Sequence, residues 1–144
     1  MAYWLMKSEP DVFSFDELVA KTAKGEAEEW YGVRNYAARN NMRAMALGDE
    51  AFFYHSNIGK EIVGIMKVVA LAHPDSTGEL NAKGEVVWEC VDVQSVKPFP
   101  RAVTLAEIKA TPELSELELV KLSRLSVSKV SETEWNLLCK MGGL

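Results

Sequence analysis

Apolar and polar positions along the chain change period several times, and each change marks an element. Tyr3 to Lys7 alternates weakly and is rich in aromatics, which predicts a strand beginning almost at the first residue. Ser8-Glu9-Pro10-Asp11 breaks it, because proline cannot donate to a ladder. Ser14, with Glu17 three residues on, predicts a capped helix to about Thr22. Gly25 and the acidic run after it read as a loop. Asn35 predicts the cap of a second helix to about Met45, with Ala38, Met42 and Met45 on one face and Tyr36, Arg39, Asn40 and Arg43 on the other.

The period then becomes that of strands. Glu50 to Ser56, with Phe52, Phe53 and Tyr54, and Ile62 to Leu71 form two strands joined at Asn57 to Lys60 as a hairpin. Gly64 inside the second predicts a bulge or the close approach of another group. A polar loop, Pro74 to Gly84, leads to a third strand, Val86 to Val96, apolar on both faces and so central or curled through a barrel. Thr104 and Glu107 predict a short capped helix, Glu113 to Lys121 a second, Leu125 to Val130 a strand, and Glu132 to Lys140 a closing helix stopped by Gly142-Gly143. No repeat or linker interrupts residues 1–144. The expectation is one α+β domain, a small mixed barrel with short flanking helices.

Composition narrows the function. A hydrophobic fraction of 48% and a charged fraction of 26% suit a folded core that needs neither disulfides nor a structural metal. Cys90 and Cys139 read as reduced thiols, no signal peptide opens the chain, and the run Ile62 to Leu71 is far too short to span a bilayer. The expected location is cytoplasmic, or nuclear in a eukaryote, with no membrane partner. The net charge of −5 argues against general affinity for duplex backbone, which comes from neutralising phosphates. The charge is uneven, however. Between Trp30 and Gly48 lie Arg34, Arg39 and Arg43 and no acid.

No catalytic or metal pattern stands out. His55, His73, Cys90 and Cys139 lack metal-ligand spacing, no nucleophile elbow or phosphate loop occurs, and no cofactor is called for. What recurs is aromatic and polar residues mixed at element ends, in Lys7-Ser8-Glu9-Pro10, in Trp30 to Tyr36, in Tyr54-His55-Ser56-Asn57 and in Ser123 to Val127. Flat π faces beside donors and acceptors are what holding one heteroaromatic ring requires. Trp4, Phe52 and Trp88 read as core. Trp30 stands between two readings, a ligand platform and a loop anchor. Arg39 and Arg43 stand likewise between anion contacts and a solvated helix face.

At these segments the sequence resembles the EVE domain family. The resemblance rests on Tyr3-Trp4-Leu5-Met6-Lys7-Ser8-Glu9-Pro10, on Trp30-x-Gly32-Val33-Arg34-Asn35-Tyr36-x-Ala38-Arg39-Asn40, on Gly48-Asp49 with Phe53 to Asn57, and on Ser123-Arg124-Leu125-Ser126-Val127. It implies a PUA-like β-barrel related to YTH and ASCH domains. It also implies a non-enzymatic pocket for a modified base, best a C5-modified cytosine, in single-stranded or flipped DNA or RNA. Carried over by motif, the pocket would use Lys7, Ser8 and Glu9; Trp30, Val33, Asn35 and Tyr36; and Tyr54, His55, Ser56 and Asn57. Arg34, Arg39 and Arg124 would be anion contacts. Two departures bear on specificity: Tyr31 stands where many relatives have Asp, and the 57–61 connection is shorter. The rival expectation is an enzyme or accessory factor acting on a nucleotide or other small molecule, with His55 and Glu9 the groups to suspect.

Overall fold

A computed structural model describes all of residues 1–144. Its strands are β1 (Tyr3–Ser8), β2 (Glu28–Glu29), β3 (Glu50–His55), β4 (Glu61–Pro74), β5 (Glu89–Thr104) and β6 (Val127–Val130). Its helices are α1 (Phe15–Ala23), α2 (Tyr36–Arg43), α3 (Leu105–Lys109), α4 (Glu118–Lys121) and α5 (Glu132–Met141). The strands form one sheet in the order β2-β5-β4-β3-β1-β6, with β1 and β3 parallel and the other pairs antiparallel.

The middle of this sheet is buried on both faces, which is why β3 reads as an unbroken apolar run. Side chains alternate across the pleat. Trp4, Met6, Ala51 and Phe53 join a core with Phe15 and Leu18 of α1, Ala38 and Met42 of α2, and Val91 and Val93 of β5. Leu5, Phe52, Tyr54 and Ile62 join a second core with Ile108, Leu114, Leu117, Leu119, Trp135 and Leu138 from the later helices. Capping boxes start α1 at Ser14–Glu17 and α3 at Thr104–Glu107, and the Asn35 side chain caps α2. Both expectations for Gly64 hold. The β3–β4 register shifts beside it, and a Cβ there would fall 2.3 Å from the Phe15 ring.

Three expectations need correction. The barrel does not close. Bulges along β4 and β5 curl the sheet, but no ladder joins its two edges, β2 and β6. β5 runs past Val96, through Pro98 and Pro100, to Thr104. Beyond Val93 only β4 pairs with it, so the missing proline donors can face an open edge. The Glu113–Lys121 helix is split into a 3-10 turn, Pro112–Leu114, and α4. Leu114, Leu117 and Leu119 are all buried, a spacing that one continuous helix cannot point inward.

Candidate nucleic-acid interface

Where the sheet fails to close, a cleft of about 220 Å³ opens between its two edges. One wall is the end of β1 and the following turn, Lys7, Ser8, Val12 and Phe13, with Ser126 just ahead of β6. The other is β2 and the chain after it, from Glu28 to Arg34. The floor is aromatic. Trp30 is buried and meets Phe53 edge-on at 5.4 Å between ring centroids, and Phe15 and His55 meet the same Phe53 ring at 5.4 and 5.5 Å.

The wall from Tyr31 to Arg34 has no regular secondary structure, yet its backbone is held firmly. Gly32 adopts a left-handed φ of +85°, a region that favours glycine. Its N–H donates to Asp75 Oδ2 at 2.8 Å, and Arg34 Nη1 donates to the same oxygen at 3.1 Å. The Asp75 side chain is fully buried. Burial alone would raise its pKa, but bonds from Thr77, Gly32 and Arg34 outweigh that and hold the carboxyl below its usual range. Glu29 behaves likewise: burial pushes it up, and the bond from Ser76 N–H to Oε1 at 2.8 Å brings it below the ordinary value. A cleft wall clamped in this way loses little conformational freedom when a ligand binds.

On the opposite wall Ser8 Oγ donates to Phe13 O at 2.7 Å and fixes the turn that carries Val12 and Phe13. Lys7 Nζ donates to Ser123 O at 2.8 Å and has no carboxylate partner, and burial lowers its pKa. Lys7 thus lines the wall opposite Glu28 and Glu29, with its ammonium turned to Ser123 and the Glu29 carboxylate turned to Ser76. Glu28 is paired with Lys21 at 2.7 Å, whereas the hydrogen bond to Glu29 falls on one oxygen.

Of the residues expected at the site, the cleft gathers Lys7, Ser8, Trp30, Val33 and Arg34. Glu9 points to solvent and does not line it. Asn35 caps α2, its Oδ1 accepting from Ala38 N–H at 2.9 Å. Tyr36 lies outside, stacked on Trp88 at 5.0 Å, with the Arg39 guanidinium 4.8 Å from the Tyr36 ring. Trp88 is therefore not core. It is half-buried in a surface cluster with Tyr36, Arg39 and Arg34, whose guanidinium is 5.4 Å from its ring. His55 lies under the floor, its Nε2 accepting from Phe15 N–H at 3.1 Å, and it does not meet Glu9 in the cleft. Tyr54, Ser56 and Asn57 line a separate groove that shares Lys7. Arg124 is exposed and makes no side-chain hydrogen bond or ion pair.

Gly32 and Ser126 lie in the quoted motifs without a role given to them, and nothing in the sequence marked Val12, Phe13, Glu28, Glu29 or the clamp Asp75 as site residues. The acidic run had been read only as loop. Spacing argues against a metal, yet the fold brings Glu29, His73 and Cys90 together, their ligand atoms within 4.8 Å of one another. Spacing rules miss the group because each residue comes from a different strand. The His73 ring is already bonded on both sides, Nε2 to Asp92 at 2.7 Å and Nδ1 to Pro74 O at 3.1 Å.

The EVE domain family model matches residues 2–141. The chain belongs to the EVE domain family. Among EVE relatives, mouse thymocyte nuclear protein 1 is 37% identical over 166 residues, spanning 96% of this chain and 73% of that protein. A crystal structure from Agrobacterium tumefaciens, 51% identical, matches 100% of this chain and 94% of its own with a TM-score of 0.92. The human THYN1 protein, solved in complex with 5-methylcytosine-containing DNA, is 34% identical with a TM-score of 0.90, over 100% of this chain and 99% of that one. No helix of this EVE domain is long and apolar enough to cross a membrane.

Proposed function

We propose that this chain is a non-enzymatic reader of a C5-modified cytosine in DNA, and that the base enters the cleft between Lys7 and Glu29 from a single-stranded or flipped position. The observation that carries the reading is a cleft of single-ring size whose lining puts Trp30 and Phe13 beside Glu28 and Glu29. Cytosine presents an amine donor at N4, which a carboxylate accepts, and carbonyl and ring-nitrogen acceptors, which an ammonium can serve. Val12, Phe13 and Val33 offer apolar surface for a C5 methyl group. At about 220 Å³ the space is below the ~300–1,000 Å³ of drug-sized pockets and suits a single ring. The human relative seen with 5-methylcytosine-containing DNA supports the same ligand class. The separation of His55 from Glu9 favours binding over the enzymatic alternative.

Glu29→Gln keeps the shape of the side chain but replaces the carboxylate with an amide that also carries donors. The variant should bind a strand carrying one 5-methylcytosine about tenfold or more weakly, since a good contact to a base edge contributes ~1–3 kcal/mol of discrimination. Fluorescence anisotropy against methylated and unmethylated strands measures this. Equal affinity of the wild-type protein for both strands would remove the proposal.

A further inference from the structure

Beside the cleft, on the other side of Lys7, runs a trough with a different composition. One part, of about 210 Å³, is lined by Lys7, Tyr54, Ser56, Asn57, Lys60, Lys109 and Ser123 among others. A second depression continues it and shares Lys60, Leu105 and Lys109. The chain has 21 acidic residues against 16 basic, yet three lysines and no carboxylate line this trough. None of the three takes part in any of the six ion pairs. Their grouping is built into the fold. Leu105 N–H donates to Lys60 O at 2.8 Å, tying the β3–β4 hairpin to the start of α3 and setting Lys60 beside Lys109. The hairpin turns through left-handed residues, Asn57 at φ +66°, Gly59 at +91° and Lys60 at +50°, which hold Lys60 at the rim.

We infer that this trough, from Lys7 to Lys60 and Lys109, carries the backbone phosphates that flank the base held in the cleft. Lys7 lines both spaces, so a strand that places a base against Glu29 and Trp30 brings its neighbouring phosphate to an ammonium that has no anion of its own. The partner is thereby a polymer, not a free nucleoside, and its backbone leaves the cleft toward α3. The assignment rests on the base-reading cleft proposed above.

The test compares the wild-type protein with a Lys60→Asn, Lys109→Gln double variant. Asparagine tolerates the left-handed backbone at position 60. Two probes separate cleft from trough, a single-stranded oligodeoxynucleotide carrying one 5-methylcytosine and the nucleoside 5-methyl-2′-deoxycytidine. The expected result is unchanged nucleoside binding with weaker oligonucleotide binding. The slope of log K against log salt between about 50 and about 200 mM should fall by ~0.7 for each phosphate no longer neutralised. An unchanged slope overturns the inference, as does equal loss of both probes, which would mean that the two lysines support the cleft itself. If the wild-type protein binds neither probe, the cleft reading fails first and the trough assignment fails with it.

Discussion

Phe52 and Phe53 are adjacent in the chain and lie on opposite faces of one sheet. Phe52 stacks on Trp135 at 3.8 Å, and Tyr3 stacks on the same indole at 4.5 Å, so this face is sealed by rings and by the helices after β5. Phe53 meets Trp30, Phe15 and His55 edge-on, on the face that opens into the cleft. Both rings are fully buried. The difference lies in what stands above them, an apolar lid on one side and a gap between sheet edges on the other. Burial alone therefore does not separate a stabilising aromatic from one that supports a site.

The largest effects should come from breaking this pair. Phe52→Ala should lower unfolding free energy by about 3–5 kcal/mol, while each folded molecule keeps its affinity for the modified strand. Trp30→Ala should lose that affinity and lower stability as well. An exposed platform would have left the melting temperature nearly unchanged, but Trp30 is 6% exposed and packed against Phe53. Urea unfolding alongside strand binding reads both quantities. Unaltered stability in Trp30→Ala would show that its ring is not part of the core.

A smaller effect should follow from loosening the clamp. Asp75→Ala leaves the Gly32 N–H and the Arg34 guanidinium without their shared acceptor. Removing one partner of such a buried bond costs about 1–3 kcal/mol. Amide exchange should then speed up from Tyr31 to Arg34 and stay slow in β3. Uniform acceleration through the sheet would mean that Asp75 supports the whole fold.

The smallest effect is on pH dependence. Burial lowers the His55 pKa below the ordinary 6.5, against the opposing pull of Glu61 and Asp16, and its Nε2 must be unprotonated to accept from Phe15. Its contribution is therefore present above about 6.5 and lost as pH falls through the folded value. The bond to Asp92 raises the pKa of His73, so the contribution of that residue has the opposite sign, present below 6.5 and lost as pH rises through its folded value. His55→Gln should flatten the acid side of the stability profile and His73→Gln the neutral side. The reverse assignment would mean that the two rings are solvated differently from what their partners indicate.

Local features were legible in the sequence wherever the physics is local. The boxes at Ser14 and Thr104, the Asn35 cap and the crowding at Gly64 each depend on a few neighbouring residues or on one missing side chain. The open sheet was not legible, since it depends on whether β2 and β6, far apart in the chain, meet as edges. Nor was the clamp, because Asp75 reaches its partners across more than forty residues of chain. Neighbours in a motif can part in the fold. Glu9 follows Ser8 but turns to solvent, and Tyr36 follows the cleft wall but stacks on Trp88, which the alternating pattern had assigned to the core.

The most direct test of the cleft is an amide and indole NMR titration of the wild-type protein with 5-methyl-2′-deoxycytidine. The account predicts shifts at the Trp30 indole and at the Lys7, Glu29 and Gly32 amides, with the Trp135 indole unmoved on the sealed face. Shifts confined to the lysine trough or to the Tyr36–Trp88 cluster, with the Trp30 signals unchanged, would contradict it.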